Sequence, residues 1–183
     1  MKHCGTQVLE TDRLVLRRYV NEDAAAMYKN WASDKEVTKF LMWPAHSSQE
    51  VSQGVIKDWK DHYSDENYYH WAIVLKDNGD EPIGDIAVVQ MKDDISMVHI
   101  GYCIGRKWWN NGITSEALKT VMAFMFDVVG VNRIESRHDP RNPNSGRVMK
   151  KCGMKYEGTL HSSDWNNQGI CDACYYALLK DER

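Results

Sequence analysis

Polar and apolar positions alternate in part along Arg13-Leu-Val-Leu-Arg-Arg-Tyr19, which predicts a strand. Asn21–Trp31 opens with a capping residue and acids and continues with strong helix formers, so a helix is expected there. Ser47-Ser-Gln-Glu50 has the spacing of a capping box, ahead of a second helix to about residue 62. Tyr68–Leu75 and Pro82–Met91 read as strands joined by a turn around Asn78-Gly79, and Met97–Ile104 as a third. The pattern then changes. Leu118, Val121, Met122, Met125, Phe126 and Val129 form one helical stripe, which Gly130 ends. Arg133–Arg137 reads as a short strand. Pro143–Lys151 reads as a helix stopped at Cys152-Gly153. Lys155–Leu160 and Gly169–Leu179 read as two closing strands. The order β-α-α-β-β-β-α-β-α-β-β predicts a mixed α/β sheet with crossover helices in its second half.

No repeat, low-complexity tract or Pro/Gly linker divides the chain, so residues 1–183 are expected to form a single domain. With 43% hydrophobic residues, seven Trp, nine Tyr and three Phe, the chain is far from a disordered composition. No apolar run approaches the ~20 residues of a membrane span, and the N-terminal residues lack the apolar stretch of a secretory signal. A cytoplasmic protein with no membrane partner is expected. Five cysteines then read as reduced thiols. Cys171 and Cys174 are a lone CxxC, which lacks the further ligands a zinc site needs, so no metal is expected.

Net charge is −3, which speaks against a nucleic-acid partner. Its distribution is more informative. Residues 133–155 hold seven basic and two acidic side chains, a local +5, while residues 57–94 hold ten acids and four lysines, a local −6. A basic segment on an acidic body suits a small polyanion at one site; it equally describes a solvated charged face.

Arg106-Lys-Trp-Trp-Asn-Asn-Gly-Ile-Thr-Ser115 lies between a strand and a helix. Backbone N–H groups at a helix start have no helical partner, and the macrodipole adds positive charge there, so phosphate binds well. Gly112 permits close approach, and Thr114 and Ser115 are small. The loop is neither GxxxxGK[ST] nor GxGxxG. Taken alone it also fits an ordinary strand-to-helix turn.

In its surroundings the loop says more. Leu9-Glu-Thr-Asp-Arg-Leu-Val-Leu-Arg17, Ile100-Gly-Tyr-Cys-Ile-Gly105, Trp108-Trp-Asn-Asn-Gly-Ile-Thr-Ser-Glu-Ala-Leu118 and Asn142-Pro-Asn-Ser-Gly-Arg-Val-Met-Lys-Lys-Cys-Gly-Met-Lys-Tyr-Glu-Gly158 follow in order. Together they resemble the GNAT superfamily of acyl-CoA-dependent N-acetyltransferases, in its RimJ/RimL-like branch, over about residues 8–180. The resemblance implies the GNAT fold, a mixed, mostly antiparallel central sheet flanked by helices. It implies acetyl-CoA as co-substrate, and as acceptor a primary amine: a protein N-terminus, or a small or amino-acid-like amine. A monomer or homodimer would serve.

The resemblance also assigns positions. Tyr102, Cys103 and Ile104 would offer main chain to the pantetheine arm, in the manner of strand addition. Trp109, Asn110, Asn111, Gly112, Ile113, Thr114 and Ser115 would hold the pyrophosphate. Asn142 and Ser145 would face the arm and the sulfur, and Arg147 or a neighbouring base would meet the adenosine phosphate. Ser145 is the candidate acid, with a helix cap as its other role. His99 stands where the family often has Glu. It is a candidate base, against the leading alternative of a satisfied histidine on a sheet face. Asp85 and Glu157 are weaker candidate bases, the alternatives being a strand residue facing solvent for Asp85 and a surface residue for Glu157. Trp31, Trp43 and Trp71 are candidates for an acceptor groove or for core. Two other readings stay open: a CoA-binding regulatory module without turnover, and a ligand-free protein-interaction domain.

Overall fold

A computed structural model describes residues 1–183. Its strands are β1 (Leu9–Glu10), β2 (Leu14–Arg17), β3 (His70–Leu75), β4 (Asp77–Asp80), β5 (Pro82–Lys92), β6 (Met97–Ile104), β7 (Arg133–His138), β8 (Lys155–Asn166) and β9 (Gly169–Leu179). Its α-helices are α1 (Asp23–Met27), α2 (Lys35–Thr38), α3 (Gln49–Asp61), α4 (Ile113–Phe124) and α5 (Pro143–Lys151). Eight strands form one sheet in the order β1-β2-β3-β5-β6-β7-β9-β8, and β4 belongs to the connection from β3 to β5. Every pairing is antiparallel except β6 with β7. This is the expected mixed, mostly antiparallel sheet. No helix is long and apolar enough to cross a membrane.

Both faces of the sheet are covered. Trp71, Ile86, Ile100 and Ile134 pack with Leu118, Val121 and Met125 of the α4 segment and with Met149 of α5 in a cluster of 27 buried residues. On the opposite face Ala72 packs with Tyr19, Met27, Trp31 and Ile56 beneath α1 and α3. Strand β3 lies between the two cores, so five of its six residues are buried. That is why its sequence is a continuous apolar run after His70.

Several helix starts differ from the sequence expectation. Helix α1 spans Asp23–Met27 and passes into a π-helical turn over Tyr28–Ala32. Asp23 does not act as a free helix-start acid. Its carboxylate receives Arg17 Nη1 and Nη2 at 2.8 and 2.9 Å and the Val20 N–H at 2.8 Å. This ties α1 to β2. The N-cap of α3 is Ser48, and its side chain does not cap the helix amides. Instead, hydrogen bonds from the Ser48 hydroxyl and the Glu50 amide hold the exposed Glu50 carboxyl below its ordinary range. Strand β8 runs on to Asn166 through Ser162 at φ 50° and a register shift between Leu160 and Asp164. The polar His-Ser-Ser-Asp run that suggests a strand end is an irregularity within the strand.

The feature that organises the site is where β6 and β7 part. Their parallel pairing covers only Met97–His99 against Arg133–Glu135. Beyond it β7 stays with β9, while β6 stays with β5 as far as Ile104 opposite Gly84. At the same level β5 carries a bulge between Val88 and Gln90. A bulge bends its strand and increases local twist, and here it accompanies the divergence.

Gly105 closes β6 where the chain turns against the π-helical turn. A Cβ on it would press on the Asn30 carbonyl oxygen and lie 2.7 Å from the Trp108 ring. Gly105→Ala is therefore expected to cost about 1–3 kcal/mol, read as a lower denaturation midpoint at unchanged slope. Unaltered stability would show that this corner is not closely packed.

Candidate active site

On β6 the backbone pairing alternates. The Gly105 N–H donates to the Ile83 carbonyl at 2.9 Å, which marks Gly105–Ile83 as a hydrogen-bonded pair. By antiparallel alternation Cys103 faces β5, and Tyr102 and Ile104 face the side where β7 has departed. Side chains close two carbonyls on that side. The Ser136 hydroxyl donates to the Ile100 carbonyl at 2.8 Å, and the Trp109 indole N–H to the Ile104 carbonyl at 2.9 Å. Between them the Tyr102 N–H and C=O and the Ile104 N–H are left facing a cleft.

The cleft has a volume of about 200 Å³. Tyr102, Cys103 and Ile104 form one wall, and Asn142, Asn144, Ser145, Val148 and Lys151 of α5 and its N-cap form another. Val37 of α2, with Phe40 and Leu41 after it, closes the end.

The floor is the loop into α4. Asn110 adopts φ 62° and Gly112 φ 75°, both left-handed, the latter as N-cap of α4. Left-handed residues among right-handed and extended ones turn successive amides toward one point. The amides from Asn110 to Ser115 donate no hydrogen bond within the protein. Arg13 braces the loop from behind: its Nη1 donates to the Asn111 carbonyl at 3.2 Å, and Nε and Nη2 hold Glu116 at 2.8 and 2.6 Å. The acid in the first turn of α4 is thereby neutralised.

Ser145 lies in the first turn of α5. Its hydroxyl pairs with the Tyr102 hydroxyl at 3.1 Å, and the Tyr102 O–H donates to the Ser145 carbonyl at 3.0 Å. Burial, against the opposing effect of the Ser145 hydrogen bond, raises the Tyr102 phenol above its usual range. Both hydroxyls therefore keep their protons at neutral pH.

The expected site residues thus gather around one cleft, with two exceptions. Asn111 is exposed and does not line it, because Arg13 holds its carbonyl. His99 is 3% exposed on the sheet face, edge-on to Tyr175, and outside the cleft. Burial, and secondarily Arg137, lowers its pKa to about 4, and its Nδ1 has no hydrogen-bond partner. A neutral imidazole there is a weak proton acceptor. Glu157 is bound by Arg133. Trp31 and Trp71 are fully buried core residues, and Trp43 is half-buried beside His46.

The +5 segment is not a continuous anion patch. Arg133 pairs with Glu135 and Glu157, Arg137 with Asp164, Arg141 with Asp139, and Lys155 with Glu182. Arg147 and Lys151 remain at the cleft. The wall from Val37, Phe40 and Leu41 carries no motif in the sequence, and Asn144 and Val148 fall within the Asn142–Gly158 segment without being singled out.

A family model of the acetyltransferase (GNAT) domain matches residues 13–155. The chain belongs to the GNAT acetyltransferase family. The family uses acetyl-CoA as acetyl donor. The chain is 30% identical over 173 residues to the uncharacterized N-acetyltransferase YoaA of Bacillus subtilis, covering 94% of this chain and 97% of YoaA. It is 28% identical over 176 residues to the uncharacterized N-acetyltransferase p20 of Bacillus licheniformis, covering 96% and 98%. Its fold is similar to that of RimL, a ribosomal L7/L12 alpha-N-protein acetyltransferase solved with coenzyme A. The TM-score is 0.84 at 18% identity, over 97% of this chain and 100% of RimL. As a GNAT member the chain is an acyltransferase-family enzyme with RimL among its structural neighbours.

His99 generates a pH prediction. Its pKa is lowered on folding, so the unfolded chain binds more protons between the two values. The stabilisation from keeping it neutral is complete above pH ~6.5 and is lost as pH falls toward about 4. Stability should fall by up to ~3 kcal/mol across that window, and His99→Asn should flatten this limb in urea titrations. An unchanged limb in the variant would assign the acid loss to other groups.

Proposed function

We propose that residues 1–183 act as one GNAT domain. In this reading it transfers an acetyl group from acetyl-CoA to a primary amine, either a protein N-terminus or a small or amino-acid-like acceptor. One observation carries the reading: the free main-chain edge at Tyr102 and Ile104 runs straight into the unpaired amides of Asn110–Ser115. The first suits a ligand with amides of its own, such as a pantetheine arm. The second suits a pyrophosphate. Few other ligands require both in sequence.

Acetyl-CoA supplies the acetyl group as a reactive thioester. The protein's own groups do the rest. Tyr102 and Ile104 offer N–H donors, fixed by the sheet, where negative charge develops on a carbonyl oxygen. Asn142 and Ser145 line the arm's path, and Arg147 and Lys151 add positive charge for phosphate at the rim. The Ser145–Tyr102 pair holds a proton within the cleft for the departing sulfur. Holding both reactants together supplies much of the rate, up to ~7–11 kcal/mol in well-oriented systems. The N-acetyltransferase names of YoaA and p20 and the α-amino specificity named for RimL support an amine acceptor.

Acetyl-CoA at a hundred times its Kd should stabilise the protein by about 2.7 kcal/mol, a rise of roughly 5–10 °C in Tm for a chain of this size. Gly112→Trp should abolish that rise, because the position is left-handed, so a side chain there strains the turn that aims the amides and crowds the Arg13 brace behind it. No rise at millimolar acetyl-CoA in the unaltered protein would overturn the reading. Transfer is read as free thiol released with a panel of n-butylamine, spermidine and an alanyl-initiated peptide. In that assay Ser145→Ala should lower kcat about 10²-fold while keeping the thermal shift. An unchanged kcat would remove Ser145 from the chemistry.

A further inference from the structure

Beneath α1 and α3, on the other face of β6 from α4 and α5, sits a carboxylate that the cleft description leaves out. Asp85 on β5 is the register partner of Cys103. Opposed side chains of such a pair lie roughly 5 Å apart, and Cys103 lines the cleft. Asp85 is therefore one side chain away from the end of the free main-chain edge.

Its surroundings are unusual. Oδ2 accepts the Tyr19 hydroxyl at 2.9 Å and His70 Nε2 at 2.5 Å. Oδ1 accepts no hydrogen bond from the protein, and the side chain is 17% exposed. No Lys or Arg pairs with Asp85. Around it stand aromatic rings. Trp59 packs on His70 at 4.0 Å between centroids, Tyr19 meets Trp59 at 4.9 Å, and Tyr63 meets Tyr68 at 5.5 Å. Oδ2 is fixed by two donors, while the 17% exposure leaves Oδ1 reachable from outside. A free anionic oxygen among aromatic faces is a place for a cation.

The supporting shell fixes that oxygen's direction. A carboxylate only accepts, so His70 Nε2 donates, and Nδ1 in turn accepts the Tyr68 hydroxyl at 2.9 Å. Tyr63 donates to the His70 carbonyl at 2.9 Å and accepts the Tyr19 N–H at 3.0 Å, which clamps both partners of Asp85. The titratable groups facing Asp85 are Tyr19, Tyr63, Tyr68, His70 and Cys103. Further out Arg18 lies over the Tyr63 ring, Asp23 acts on Tyr63 and Asp58 on Tyr68.

We propose that Asp85 receives the ammonium end of a cationic acceptor on its free oxygen and takes the ammonium's first proton, with His70 and Tyr19 as positioning residues. The inference rests on the acetyltransfer reading and adds the proton acceptor and the acceptor's charge. The balance is simple. One proton passes from the ammonium to Asp85 and afterwards to water. The amine's second proton is released as the C–N bond forms and ends on the CoA sulfur as the C–S bond breaks. The net products are the amide, free thiol and one proton.

The test follows kcat/KM against pH, from about pH 6 to about pH 10, with the three amines of the panel. With Asp85 in place the profile is flat through neutrality, because the ammonium form is used directly. Asp85→Asn can use only free amine. Its rate should be about 10²–10³-fold lower near neutral pH and recover about tenfold per pH unit toward the amine's own pKa. His70→Asn should give a smaller loss of the same shape. Spermidine binding to the CoA-saturated protein, read by calorimetry, should weaken at least about tenfold in Asp85→Asn. The acetyl-CoA thermal shift should be kept, which reports an intact fold and donor site.

A uniformly lowered but flat profile, or an unchanged one, alongside normal transfer by the unaltered protein would overturn the proposal alone. Failure of the unaltered protein to bind acetyl-CoA or to acetylate any amine would overturn the acetyltransfer reading, and this inference with it. Should Asp85→Asn not fold, Asp85→Glu decides: a displaced carboxylate should lower kcat/KM about tenfold or more with the profile still flat, and full activity would overturn the proposal.

Discussion

The molecule depends on a sheet that is left incomplete at one place. Strand β6 keeps β5 to its end but loses β7 after His99. A strand edge inside a sheet normally has its N–H and C=O groups paired, because unpaired ones are costly once removed from water. Here the gap opens on the cleft and its limits are set by side chains. Ser136 closes the Ile100 carbonyl at one end, and the Trp109 indole closes the Ile104 carbonyl at the other. The groups between them are fixed in direction by the β5 pairing, so they form a rigid template and need no loop to order. Helix α4 begins just past the open end, and α5 forms the far wall.

Where the chain carries a strong local code, the structure agrees with the sequence to the residue. Met97–Ile104 and Gly169–Leu179 are apolar-rich runs bounded by a Gly, and Pro143–Lys151 is bracketed by its opening Pro and by Cys152-Gly153. The π-helical turns after α1 and α4 carry no such code, since they arise from how the last turn packs. The amide run at Asn110–Ser115 is legible only through its neighbours, because a Gly before a helix also fits an ordinary turn, and the order of the four segments around it is what sets it apart. The wall formed by Val37, Phe40 and Leu41 was not, because it depends on where a short segment lands in space.

Charge misleads for a related reason. The +5 over residues 133–155 is a sum along the chain, but pairing occurs across strands. Arg133 meets Glu157 of β8, and Arg137 meets Asp164 of the same strand. Only bases whose neighbours across the fold are neutral, such as Arg147 and Lys151, keep a field at the cleft. His99 fails in the same way. The position looks suited to a base, but its side chain falls on the buried face between β6 and Tyr175, where ionisation is penalised.

A transfer between a polyanionic donor and a cationic acceptor asks one site to hold opposite charges close together without letting them neutralise each other. Strand β6 offers a solution through its pleat. Tyr102 belongs with the core packed by α4 and α5, and Cys103 with the core packed by α1 and α3. Positive potential from helix-start amides then lies beyond one end of the strand, and Asp85 lies on the opposite face beside it. In the proposed transfer each reactant enters from its own side, and they meet at the main chain of residues 102–104, which both faces share.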